Sequence, residues 1–151
     1  VNLSQCVILL VEDEPEDVFN IQRAFRKAKL ANPLQVVTDG DAAVAYLKGD
    51  PPYDDRSQYP LPTLVLLDLK LPRRSGLEVL TWMREQPELK RLPVVVLTSS
   101  GERGDVNSAY DRHVNSYLIK PVAFEALLEL LKSVNMYWIL CNEKPDVEPV
   151  R

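Results

Sequence analysis

The chain has 151 residues, 46% hydrophobic and 26% charged, a balance that suits one soluble domain with a full core. Its net charge of −4 argues against non-specific nucleic-acid binding, which needs a basic face. No apolar stretch approaches the ~20 residues of a membrane span. The VNLSQ start lacks the charged-then-apolar layout of a secretory leader, and Cys6 and Cys141 lie far apart with no CxxC spacing, so reduced thiols in a cytoplasmic protein are expected.

Val7-Ile8-Leu9-Leu10-Val11 reads as a buried strand and ends in Glu12 and Asp13. Pro15 opens a helix with Val18, Ile21, Phe25 and Ala28 on one stripe, and Asn32-Pro33 is expected to stop it. Leu34-Gln35-Val36-Val37 predicts a second, shorter strand. Asp39-Gly40 makes a turn, with Asp41 a candidate N-cap for a helix through Ala43, Tyr46 and Leu47. Residues 49–62 hold four prolines and three aspartates and predict a long exposed loop. The run Leu64-Val65-Leu66-Leu67 is a third strand, ending at Asp68. A helix from about Ser75 to Gln86 uses Leu77, Leu80 and Met83. Pro87 and Pro93 bracket the connection into Val94-Val95-Val96-Leu97, a fourth strand ending at Thr98. A polar stretch then leads to a short helix near Val106 to His113. Ser116 to Ile119 is the fifth strand, ending at Lys120, and Ala123 to about Leu140 predicts a long final helix. Residues 142–151, rich in proline and charge, are expected to be a flexible tail, with no output domain beside the one domain over 1–141.

Five βα repeats call for right-handed crossovers and a parallel sheet covered on both faces. The fold class is α/β, doubly wound and flavodoxin-like, with strand order 2-1-3-4-5 and its switch point between strands one and three. That order sets Glu12 and Asp13 beside Asp68. Each residue alone has a plainer use. Glu12 or Asp13 could favour a helix N-terminus, Asp68 could cap a turn, Thr98 could be a strand-end hydroxyl and Lys120 a solvated charge. Together they put three carboxylates, a hydroxyl and an ammonium on one sheet edge, which describes a phosphoryl-acceptor site with a seat for Mg²⁺, a hard cation that takes carboxylate oxygens.

Val11-Glu12-Asp13, Leu67-Asp68 with Leu71-Pro72 and Gly76, Leu97-Thr98-Ser99, and Lys120-Pro121 resemble the receiver domains of two-component response regulators. The order matches, as do the thirty residues from Asp68 to Thr98 and the twenty-two from Thr98 to Lys120, and the resemblance covers roughly residues 5 to 141. The 50–62 loop, segments 89–98 and 114–122, and the late Tyr137-Trp138 resemble the single-domain regulators paired with cyanobacterial and bacterial phytochromes. The resemblance implies that Asp68 is the phosphoacceptor and that the Lys70 backbone carbonyl joins Glu12, Asp13 and Asp68 around Mg²⁺. It implies that Thr98, Ser99 and Lys120 contact the phosphoryl group, and that a sensor histidine kinase, phytochrome-like, is the donor. Tyr117 matches the switch aromatic, expected to turn inward on phosphorylation. His113, the single histidine, is not expected to be a donor itself.

The final helix has more apolar positions than one buried stripe needs. A homodimer is expected through Leu131, Val134, Tyr137 and Trp138. Two other classes are weighed. A haloacid-dehalogenase-like hydrolase would carry an acidic residue two positions after its nucleophile, where this chain has Lys70. A pseudo-receiver scaffold would have lost a metal carboxylate or the acceptor, and none is missing here. The chain is expected to catalyse only its own phosphorylation and dephosphorylation, and its length leaves no room for a DNA-binding output domain.

Overall fold

Strands β1 (Ile8–Val11), β3 (Leu64–Leu67) and β4 (Val94–Thr98) are buried at every position, which is why they read as unbroken apolar runs. With β2 (Leu34–Val37) and β5 (Ser116–Ile119) at the edges, they form one parallel sheet in the order β2-β1-β3-β4-β5. The structure, a computed structural model, describes residues 2–151. Side chains alternate across the sheet. Ile8, Leu10, Leu64, Leu66, Val95 and Leu97 face a layer made by α1 (Pro15–Lys27) and α5 (Phe124–Val134). Leu9, Val11, Val65, Leu67, Val94 and Val96 face α2 (Gly40–Lys48), α3 (Gly76–Glu85) and α4 (Arg103–Asp111).

Register fixes the functional edge. Val11 pairs with Leu67, and Thr98 with Ile119, so Glu12, Asp68 and Lys120 follow their strands on one side of the sheet. Ser75 and Glu78 close a capping box at the start of α3. Any side chain at Gly76 would strike the Asp68 carbonyl, so glycine there lets the helix start against the acidic strand end.

Local chemistry moved several boundaries. The first helix stops at Lys27, well before Asn32-Pro33, because Lys29 adopts φ 55° and closes a Schellman turn, Lys29 N to Arg26 O at 3.1 Å and Leu30 N to Phe25 O at 3.0 Å. The N-cap of α2 is Asp39, not Asp41: Asp39 is extended and its Oδ1 accepts from Ala42 N at 2.7 Å, while Asp41 sits inside the first turn. His113, at φ 62°, lies just past α4 in a second Schellman turn rather than on the helix.

The last helix changes pitch at Asn135 and runs to Cys141 as a π-helix. Ile139 there belongs to the α1–α5 core. The residues beyond differ from the flexible tail expected of them. Val147 and Val150 pack against the opposite core layer, and Glu148 N donates to Glu88 O at 3.2 Å. Residues 142–151 therefore pass below the N-terminal ends of β3 and β4, because two valines among the prolines and charges find apolar surface there.

The 49–62 loop is anchored as well. The half-buried Arg56 guanidinium donates to the carbonyls of Tyr46 (2.7 Å), Leu47 (2.8 Å) and Tyr59 (3.0 Å), closing the C-terminus of α2. Tyr46, Tyr53 and Tyr59 pack on one another with ring centroids 5.2 to 6.0 Å apart. Arg56→Ala strands these carbonyls and is expected to lower stability by about 2 kcal/mol. Urea denaturation checks this through a lower midpoint at unchanged slope.

Candidate functional site

Asp68 is 6% exposed at the mouth of the site. Thr98, the last residue of β4 and fully buried, donates its hydroxyl to Asp68 Oδ1 at 2.8 Å. Lys120 Nζ donates to Asp68 Oδ2 at 2.9 Å. The same ammonium contacts the Glu12 carboxylate and Asp17 Oδ2, the latter at 3.0 Å. Lys70 is exposed, and its backbone N–H reaches Asp68 Oδ1 at 3.3 Å. One oxygen each from Glu12, Asp13 and Asp68 can lie within 4.8 Å of one another. An all-carboxylate set of this kind fits a hard divalent cation.

Charge separates the roles of the carboxylates. Burial pushes the Glu12 carboxyl up to about 7, the neighbouring Asp68 charge adds to the push, and Lys120 offsets only part of it. Burial also acts upward on Asp68, but the hydrogen bonds from Lys120 and Thr98 outweigh it and hold that carboxyl below the ordinary aspartate range. Burial acts downward on Lys120, but its hydrogen bonds to Glu12, Asp68 and Asp17 outweigh it and hold the ammonium above the usual lysine range. Asp68 is thus held as a carboxylate, with a hydroxyl and an ammonium already donating to it.

Ser99 is exposed and lines a cleft of about 280 Å³ beside Lys120, walled also by Asp17, Asn20, Val122 and Phe124. Tyr117 is half-buried and donates its hydroxyl to the Ser100 carbonyl at 2.7 Å. Tyr117 is thus tied to the β4–α4 loop.

The expected dimer face divides. Leu131 (1% exposed) and Val134 (7%) are buried in the chain's own core, because α5 turns them toward the sheet. They cannot line an outer surface. Tyr137 is exposed and stacks edge-on against the half-buried Trp138 at 4.9 Å, with Met136 and Leu140 exposed nearby. Asp17 was not singled out in the sequence. The available signal was Pro15 at the first helical position, which puts Asp17 in the first turn beside the acidic pair.

Because a ligating carboxylate must lose its proton, a divalent cation competes with the Glu12 proton. Below pH 7 Glu12 is mostly protonated, so apparent cation affinity should fall as pH drops from 8 to 6. Calorimetric titration of Glu12→Gln should show that dependence flattened.

The sequence matches the response regulator receiver domain over residues 8–132. The probable methanogenesis regulatory protein FilR2 of Methanothrix harundinacea is 40% identical over 139 residues, 92% of this chain and 87% of that protein. Response regulator Rcp1 of Synechocystis sp. is 39% identical over 133 residues, 88% of each. The crystal structure of the phosphorylated cyanobacterial phytochrome response regulator RcpA aligns with a TM-score of 0.86 at 37% identity, covering 93% of this chain and 99% of that one. The Mn²⁺-bound form of Rcp1 aligns with a TM-score of 0.83 at 38% identity, over 93% and 99% of the two chains. A domain match across most of the chain, joined to an acidic strand-end site flanked by Thr98 and Lys120, makes this chain a member of the response regulator receiver domain family.

Proposed function

We propose that this protein is a response regulator that takes a phosphoryl group onto Asp68 from a sensor histidine kinase of the phytochrome type. The observation that carries the reading is the Asp68 carboxylate itself, ionised and held between the Thr98 hydroxyl and the Lys120 ammonium beside two further carboxylates. Asp68 Oδ attacks phosphorus in line, forming an O–P bond as the P–N bond to the donor histidine breaks. Glu12, Asp13 and Asp68, with the Lys70 backbone carbonyl, would hold a Mg²⁺, which would supply positive charge for the phosphoryl oxygens. Lys120 holds a second oxygen, Thr98 donates its hydroxyl to a third, and Ser99 stands at the rim. No general base is needed, since the nucleophile is already ionised.

The readout runs through Thr98 and Tyr117 to the face of α4, β5 and α5. The protein acts on its own Asp68 and turns over no outside substrate; Lys70 stands where a hydrolase would need an acid. The phytochrome pairing rests on the likeness to RcpA, which is described as a phytochrome response regulator. The proposed place of action is the cytoplasm, and no described helix is long and apolar enough to cross a membrane. Exposed Met136, Tyr137 and Leu140 suit a homodimer contact, with Trp138 as its inner support.

Two measurements test this reading. After incubation with acetyl phosphate and Mg²⁺, intact-mass spectrometry should find one phosphoryl group, absent in Asp68→Asn and absent without Mg²⁺; a folded wild-type chain that never gains mass defeats the proposal. Light scattering at micromolar concentration should find a dimer that Tyr137→Ala converts to monomer. A wild-type monomer with and without phosphodonor removes the dimer.

A further inference from the structure

Lys120 has three N–H donors, and the structure directs them at three carboxylates: Glu12, Asp68 and Asp17. Two of those carboxylates have other work. Glu12 and Asp68 belong to the acidic cluster that suits a cation, and Asp68 is also the nucleophile. Asp17 lies outside that cluster, on the first turn of α1, with its side chain 37% exposed against 9% for Lys120. Helical hydrogen bonding fixes its backbone, so its carboxylate reaches the ammonium from a rigid base at 3.0 Å.

Resting on the phosphoacceptor reading above, we propose that Asp17 is a positioning residue that anchors Lys120 while the ammonium changes partner from Asp68 to the phosphoryl group. Transfer from acetyl phosphate forms the Asp68 Oδ–P bond and breaks the donor's P–O bond, with acetate leaving. The Asp68 carboxylate, once an acyl phosphate, loses its own charge and with it most of its hold on the ammonium. Glu12 shares its charge with the cation. Asp17, outside the acidic cluster, keeps its contact with Lys120 throughout, and so holds the long, rotatable side chain over the site instead of letting it swing into the adjoining cleft.

The test is the initial rate of phosphorylation by acetyl phosphate at saturating Mg²⁺, followed by intact mass. Asp17→Ala should slow it by roughly five- to ten-fold, the scale of one typical hydrogen bond, as suits a partly exposed partner. Asp17→Glu should recover at least half of the wild-type rate. In a Lys120→Ala background, adding Asp17→Ala should change nothing further, because a residue that acts through Lys120 has no effect once Lys120 is gone. A rate in Asp17→Ala equal to or above wild type overturns the inference, as does the same slowing in both backgrounds. Should Lys120→Ala prove too slow to time, Asp17→Glu decides, and failure to recover overturns the inference. A wild-type chain that takes no phosphoryl group instead defeats the phosphoacceptor reading, a result distinct from each of these.

Discussion

The buried ammonium of Lys120 is the condition for everything at this sheet edge. Glu12, Asp13 and Asp68 bring like charges within a few ångströms of one another, where two unit charges repel by about 4 kcal/mol at an effective dielectric of ~20. Lys120 stands against Glu12 and Asp68 and lets the edge exist before any cation arrives. The compensation is incomplete and uneven. Asp68 receives both the ammonium and a hydroxyl and stays ionised, while Glu12 is left near neutral pH. The site thus keeps one carboxylate ready for chemistry at the expense of its neighbour.

The sheet's two ends are built by different chemistry. At the C-terminal edge charges face one another and are unevenly balanced. At the N-terminal edge arginines gather backbone carbonyls instead. Arg84 donates to the carbonyls of Lys90 (2.9 Å), Leu92 (2.8 Å) and His113 (2.8 Å), joining the loops before β4 and β5. Arg56 does the same for the end of α2. Among the described residues neither arginine has a carboxylate partner, so each is committed to shape. With the 142–151 segment crossing the same end, the N-terminal edge is held by many neutral acceptors, and the strained electrostatics are confined to the edge that must respond.

The sequence carried the sheet because burial on both faces leaves an unmistakable mark: β1 and β3 are apolar at every position and β4 up to Thr98, so the polar residue that ends each run stands out as a candidate. Glu12, Asp68 and Thr98 were legible as candidates for that reason, and Lys120 as the residue that ends the shorter apolar run of the edge strand β5. Side chains acting across long separations were not. Arg56 sits in a proline-rich loop, and nothing local says that its guanidinium will meet carbonyls of the preceding helix. Asp17, an acid in the first turn of α1, carries no local mark of its contact with Lys120. Leu131 and Val134 were counted as surface because composition reveals a surplus of apolar residues without saying which of them the core absorbs. The change to π-helix at Asn135 redistributes those positions further, turning Ile139 inward and Tyr137 outward.

Between the rigid end and the charged end lies the short connection from Thr98 to α4, and Ser100 is its centre. The Ser100 carbonyl accepts from the Tyr117 hydroxyl at 2.7 Å, its own hydroxyl donates to Asp105 at 2.5 Å, and that hydroxyl also accepts from Glu102 N at 3.4 Å. Two residues upstream, Thr98 is bonded to Asp68. A pull on the Thr98 hydroxyl therefore acts along two residues of backbone on a serine that ties β5 to the start of α4. Asn115 ties down the opposite end of β4, its Oδ1 accepting from Val94 N at 2.8 Å and from Arg84 at 3.3 Å. Under the proposed phosphoacceptor role, a shift of Thr98 would be passed to Ser100, and with it to Tyr117 and the first turn of α4. By that route chemistry at Asp68 would reach a surface element without disturbing the packed sheet between them.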